Sequence, residues 1–358
     1  MLNPSKGYPK IVEKFKYFIC VSLAIILVGI VMFCVKGMNI GIDFTGGTKI
    51  EIELSSFASN DNAKSIIEDK VKSFLEENGC KTVGAMQTSP LNDGGMTYEF
   101  RLAYYLNGDI APEDENDFLA FIQGDLDDDT NNGLCGELQT ELETLFNENE
   151  TLKGLSATLD ENAVRAYTVG ATSSSSLLRN TIIALLVAIV VMLVYIVIRF
   201  TFSSGLAAIC ALAHDVLIMV ALTTVFQIPV NSTFIAAVIT IVGYSINATI
   251  IIFDRIREEL KIESNKIYSD TEIANKAIYK TFGRTILTTV TTLLMVVFLA
   301  ILSVDAIKEF VLPIIFGLIA GTFSSVFLAS SFWIIFRKLG RKIKENRESK
   351  GKTKTAKG

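Results

Sequence analysis

Six uninterrupted apolar runs constrain this chain more than any other feature. They lie at residues 17–35, 181–198, 205–226, 233–253, 285–303 and 311–336. A helix rises about 1.5 Å per residue, so runs of roughly 20 residues cross a hydrocarbon core of about 30 Å. In lipid every backbone N–H and C=O must be satisfied inside the segment, which leaves helices for runs of this kind. Half of the 358 residues are hydrophobic and the mean hydropathy is +0.43, so an evenly charged soluble protein is excluded. The first run is longer than the apolar core of a secretory signal and ends in Lys36, Gly37 and Met38 without a small-x-small cleavage site, which predicts a retained anchor.

Six spans put both ends of the chain on one side, and the basic residues say which. Lys6, Lys10, Lys14 and Lys16 precede the first run, residues 255–284 carry seven Lys and Arg, and residues 337–357 carry ten. The short turns 227–231 and 304–310 hold only Lys308. The positive-inside rule then places both termini in the cytoplasm. Residues 37–180 have 26 acidic against 9 basic residues, a net of −17, whereas the remainder has 12 against 24, a net of +12. The predicted organisation is a cytoplasmic N-terminus (1–16), a first span (17–36), an extracytoplasmic domain (37–180), five further spans (181–336) with a cytoplasmic loop at 254–284, and a basic cytoplasmic tail (337–358). This asymmetry fits a multi-pass protein of the bacterial cytoplasmic (inner) membrane. Its tail reads as a solvated anchor near anionic lipid, a ribosome or another cytoplasmic partner. No nucleic-acid partner is expected.

Within the extracytoplasmic domain, Lys49-Ile50-Glu51-Ile52-Glu53-Leu54 alternates strictly and predicts a strand with one buried face, entered through Gly46 and Gly47. Asn60 and Asp61 open a helix to Asn78 with Ile66, Ile67, Val71, Phe74 and Leu75 on one side, ended by Gly79. Strands at 82–88 and 96–103, a helix at 134–146 and a strand at 155–159 complete a strand-helix-strand-strand-helix-strand order. That order is the α+β ferredoxin-like plan. The acidic stretch at 125–133 fails the EF-hand spacing and reads as a solvated loop, and no metal site is assigned. Cys80 and Cys135 both fall in this domain and are candidates for a disulfide if their Cα atoms approach within about 7 Å.

Polar groups at membrane depth cost several kcal/mol unless paired or facing a wet path, so they are functional candidates. The third run holds His214 and Asp215, which as helix neighbours point about 100° apart and are expected to serve different partners. In the fourth, Asn247 and Asp254 lie seven apart on one side, with Ser245 and Thr249 nearby. The fifth begins at Arg284 and Thr285, followed by Thr288, Thr289, Thr291 and Thr292. Together these groups suit a proton or ion route. They equally suit packing hydroxyls, an Asp254 paired at the membrane edge and a snorkelling Arg284.

The motifs GIDFTGGT after the first run, IRF at 198–200, ALAHDV at 211–216, FIAAVITIVGYSIN at 234–247, FDRIRE at 253–258 and GRTILTTVTTLL at 283–294 resemble, in order and position, those of the SecF branch of the SecD/SecF protein-export family. That family is related to the RND transporter superfamily. The resemblance implies a subunit that joins a SecD-like partner, associates with the SecYEG channel and uses the proton or sodium motive force to help a translocating unfolded polypeptide leave the membrane. It implies no cofactor and no catalytic residues. The chain departs from the family in two places: residues 169–175 lack a proline often found there, and the family's titrating carboxylate in the fourth span is replaced by Ala248. Ala248 binds neither proton nor ion. Three readings remain: the partner supplies the carboxylate, which is preferred; Asp215 or Asp254 replaces it; or this half is uncoupled.

Rival classes fare less well. An intramembrane protease needs paired aspartates, a Ser with a base, or HExxH, and the chain has a single His, so it is not expected to be an enzyme. Small-molecule exporters of the RND superfamily usually join two six-span halves in one chain. A scaffold without ion coupling gains weight from Ala248.

Overall fold

A computed structural model describes residues 8–54, 61–82, 87–90, 96–106, 121–122, 133–149, 152, 163–169, 171–262, 265, 267–302 and 305–355. In chain order the elements are α1 (Phe15–Lys36), the single turn α2 (Ile42–Thr45), β1 (Gly47–Leu54), α3 (Asp61–Glu77), β2 (Cys80–Thr82), β3 (Gln87–Pro90), β4 (Met96–Leu106), α4 (Leu134–Glu148) and β5 (Val164–Val169). Then come α5 (Ala171–Arg199), α6 (Phe202–Val225), α7 (Ser232–Lys261), α8 (Asp270–Leu302), α9 (Asp305–Phe323), a π-helical segment (Ser324–Ala329) and α10 (Ser330–Thr355). The chain divides into two compact units, Asn39–Thr181 and the rest.

The second of these units contains six helices long and apolar enough to cross a membrane, so the protein is a multi-pass membrane protein. These helices outrun the apolar windows. α7 continues to Lys261 and α8 starts at Asp270, so much of the stretch predicted as a loop at 254–284 is helical, and the basic tail continues as α10. Hydropathy reports where lipid ends, whereas Glu, Arg, Lys and Leu keep a helix going past that depth. Lipid provides no hydrophobic drive between helices, so close packing rests on small residues. Gly29 of α1 faces Ala221 of α6 so closely that a Cβ there would clash with it. A Cβ on Gly317 of α9 would stand 2.5 Å from Ile241 of α7. α6 and α7 bury much of their surface within the bundle, whereas α1 and α5 show it mostly apolar side chains on their outer faces.

Polar clamps hold the basic ends of these helices. Asn275 of α8 accepts from the amides of Ile11 and Val12 (3.1 Å each) and donates to Glu13 (3.0 Å). Asp270 pairs with Arg341 (2.7 Å) and Arg337 (3.5 Å) of α10.

In the Asn39–Thr181 unit the strands form an antiparallel sheet in the order β2-β4-β1-β5, with β3 also on β4. The alternation predicted for β1 holds: Ile50, Ile52 and Leu54 are fully buried, opposite Phe100, Tyr98 and Met96. Ile67, Val71 and Leu75 of α3, with Leu138, Leu142 and Phe146 of α4, close the same core. On the other face Lys49 bridges Glu51 (2.6 Å) and Glu99 (3.4 Å), and Arg101 meets Glu99 (3.0 Å). The strand predicted at 155–159 lies outside the described residues; the strand that pairs with β1 is Val164–Val169. The acidic stretch at 125–133, Gly133 apart, also lies outside them. The candidate Cys80–Cys135 disulfide does not form. Both residues are free thiols buried in the hydrophobic core, where burial pushes Cys80 up to about 11 and Cys135 up to about 12.

Candidate functional site

The polar groups of the membrane unit fall into an inward and an outward set. The inward set centres on Asp215 of α6, which is fully buried. Its Oδ2 accepts from the hydroxyl of Ser245 on α7 and from that of Ser324 in the π segment (2.8 Å). Its Oδ1 lies 2.9 Å from Nδ1 of His214. The other ring nitrogen, Nε2, lies 2.7 Å from Ser22 Oγ of α1. Phe323 stacks on the His214 ring at 6.2 Å. One carboxylate thus ties four parts of the bundle together.

The expectation that His214 and Asp215 serve different partners is therefore corrected. Their Cα–Cβ bonds diverge, but both side chains turn into the same polar gap and meet. π-helical segments are rare and frequent at functional sites. Here the segment supplies Ser324, whose hydroxyl also donates toward Gly321 O (3.2 Å).

Two proton inventories fit this heavy-atom geometry. Ser22 Oγ lies 3.2 Å from Phe18 O. If it donates there, Nε2 must carry a proton and a second proton sits between Nδ1 and Oδ1, which makes the His-Asp pair neutral overall. If Ser22 turns its proton toward Nε2, a neutral imidazole donates from Nδ1 to a carboxylate and the pair carries −1. The two inventories differ by one proton and by the direction in which the Ser22 hydroxyl points.

The outward set does not meet this node. Asn247 is exposed on α7 in the middle of its apolar run, and Arg284 and Thr288 are exposed on α8. Thr288 donates to the carbonyls of its own helix, Arg284 O (2.9 Å) and Thr285 O (3.0 Å). Among the described residues the side chains of Asn247 and Arg284 make no hydrogen bond or ion pair. Ala248 is 6% exposed and faces inward. Asp254 pairs with Arg199 at 3.4 Å, half-exposed at the membrane edge. Of the other hydroxyls, Thr289 links Tyr244 (3.2 Å) and Thr322 (2.9 Å) across helices, while Thr285 Oγ1 is buried without a partner.

Sequence reasoning missed Ser22, Ser324 and Glu259. Glu259, at the end of α7, is fully buried and receives Arg255 (2.9 Å), Lys276 (2.9 Å), Lys280 (2.6 Å) and the amide of Asn265 (2.8 Å). The paired serines at 324–325 inside an apolar run were the only sequence sign of the node's far side.

The family model "Protein export membrane protein SecD/SecF, C-terminal" matches residues 149–339, and the "SecD/SecF GG Motif" matches residues 31–56. The chain is 31% identical to the protein translocase subunit SecF of Petrotoga mobilis over 320 residues, covering 89% of this chain and 93% of that one. It is 28% identical to the protein translocase subunit SecDF of Bacillus subtilis over 335 residues, spanning 93% of this chain but 38% of that longer protein. The crystal structure of SecDF from Thermus thermophilus, described as a translocon-associated membrane protein, superposes with a TM-score of 0.68 at 27% identity, covering 94% of this chain and 40% of that one. By sequence along almost its whole length, and by fold, the chain belongs to the SecD/SecF family of protein-export membrane proteins.

Proposed function

We propose that the chain acts in Sec-pathway protein export as one six-span half that joins a SecD-like half, beside a SecYEG-type channel in the bacterial inner membrane, with both termini in the cytoplasm. The observation that carries this reading is the outward set. Asn247 and Arg284 sit in or at the edge of apolar runs with no partner in their own chain among the described residues, a costly arrangement in lipid. A second membrane half covering that face removes the cost. The SecDF relatives, of which this chain spans about two fifths, support such a half. On this reading the partner supplies the titrating carboxylate that Ala248 lacks. The proton or sodium motive force then biases the two halves between states through differential ion affinity, since nothing else shifts such an equilibrium. The strand order and the two helices support a ferredoxin-like plan for the extracytoplasmic domain, which would engage the emerging polypeptide. No covalent chemistry is assigned.

A second reading is favoured by the two proton inventories of the node, in which Asp215 and His214 carry the coupling proton. One experiment separates the two. Export is measured in cells carrying Asp215→Asn in this chain, or Asn in place of the intramembrane aspartate of the SecD-like partner. The first reading expects the partner substitution to slow export more, and the opposite order rejects it. Copurification in mild detergent tests the pairing itself: a self-contained homo-oligomer without a SecD-like chain would overturn it.

A further inference from the structure

At the end of the bundle that carries the basic segments, a cavity of about 280 Å³ opens between the α5–α6 turn, the end of α7 and α10. This is just below the range of about 300–1,000 Å³ in which whole small ligands are held, a size for a headgroup rather than a whole molecule. Its floor is apolar, made by Phe200, Phe253 and Trp333, with Phe200 and Phe253 edge to face at 6.4 Å. Its rim carries two guanidinium groups, Arg257 and Arg337. The guanidinium of Arg337 lies over the Trp333 ring at 4.9 Å, which fixes it at the mouth. Arg257 is exposed and, among the described residues, makes no hydrogen bond or ion pair within the chain. The first turn of α6 adds backbone amides, and its N-cap Thr201 makes no side-chain cap, its hydroxyl meeting Ser204 instead (3.0 Å).

The charges around the cavity are unbalanced. Arg199 pairs with Asp254, and Arg337 and Arg341 share the single carboxylate of Asp270, which leaves Arg257 without a carboxylate partner among the described residues. The cavity also straddles the depth at which three apolar runs end: Phe253 closes the fourth, Phe200 follows the second and Trp333 lies near the end of the last. Trp rings settle at this interface. An apolar floor at lipid depth, under a guanidinium rim at headgroup depth, matches a ligand that is itself apolar below and anionic above. We propose that this cavity binds the phosphodiester headgroup of an anionic phospholipid, with Arg257 and Arg337 on the phosphate and the aromatic floor against the glycerol and upper acyl chains. Basic pockets between membrane helices bind such headgroups for these reasons. The proposal rests only on the membrane-spanning placement of the helices and not on ion coupling or export.

Native mass spectrometry of the full chain in mild detergent, titrated with phosphatidylglycerol or with phosphatidylcholine of the same acyl chains, tests it. Phosphatidylglycerol is expected to stay bound under activation that strips phosphatidylcholine. Arg257→Gln should weaken its retention about fivefold, the effect of one basic group at an anionic surface. Because Arg257 has no ion pair to lose, that variant should keep its fold. Arg337→Gln should act in the same direction, and Arg179→Gln, away from the cavity, should change nothing. Equal retention of the two lipids, or undiminished phosphatidylglycerol binding to Arg257→Gln, overturns the proposal. Displacement of the lipid by millimolar inorganic phosphate would assign the rim to a free phosphate anion and overturn the lipid.

Discussion

Asp215 and Glu259 are both completely shut off from solvent, yet the chain holds them in opposite ways. Glu259 lies where α7 leaves the apolar depth, and Lys276, Lys280 and Arg255 reach it along their aliphatic stems. Asp215 lies inside the bundle, where among the described residues no Lys or Arg reaches it, and is held by two hydroxyls and an imidazole. Taking an ion out of water costs several kcal/mol unless partners return it. Three cations answer that cost with permanent charge, so Glu259 is a clamp. Two hydroxyls and a histidine answer it with hydrogen bonds and no permanent charge.

Substitutions break or sharpen this contrast. Glu259→Ala leaves three cations crowded around an empty space and should cost about 3–5 kcal/mol, the price of breaking a buried pair. Thermal unfolding in detergent reads this, and a smaller loss than that of Asp215→Asn would end the distinction. Asp215→Asn keeps an acceptor for Ser245 and Ser324 but sets an amide against His214, for an expected loss of about 1.5–3 kcal/mol. Ser324→Ala removes one donor and should lose about 1–2 kcal/mol; no loss would mean that the π segment does not hold the carboxylate.

Cys135 in the core of the Asn39–Thr181 unit is the limiting case, in which charge is simply refused. Burial alone raises its thiol from 9.0 to about 12. The unfolded chain then loses its proton near pH 9 while the folded one keeps it, so this residue's contribution to stability falls as pH rises from about 9 toward 12. With a thiol-reactive probe on the full chain at pH 8, Cys135 should react roughly tenfold or more slowly in native conditions than in urea. Equal rates would show that its core opens readily.

How much of this was legible in the sequence follows from the range of each signal. Apolar length is local and gave the six helices, and period-two alternation gave β1 with its buried Ile50, Ile52 and Leu54. β5 carries the same period through Val164, Ala166 and Thr168, but it adjoins an apolar helix and a nearer apolar stretch drew the prediction. Ser22 and Ser324 were invisible as partners because small hydroxyls in lipid-depth sequence carry no sign of what they bond, and their contacts with the node span 192 and 109 residues. Glu259 looked like an ordinary charge at a helix end, since two of its three cations, Lys276 and Lys280, come from the next helix. Side-chain rotation, which no helical wheel records, brought His214 to Asp215.

The π segment at Ser324–Ala329 amounts to a phase slip in the last span. An α-helix advances about 100° per residue, so one extra residue held in a wide turn offsets everything beyond it by about that angle. Trp333 and Arg337 of α10 are therefore aimed by the same irregularity that turns Ser324 toward Asp215. Closing this wide turn into α geometry at constant length would swing the far end around its axis by about that angle, whereas deleting a single residue from the segment would restore an unbroken helix with the far end facing as before. The orientation of the basic end of this helix is thus written in the middle of the membrane.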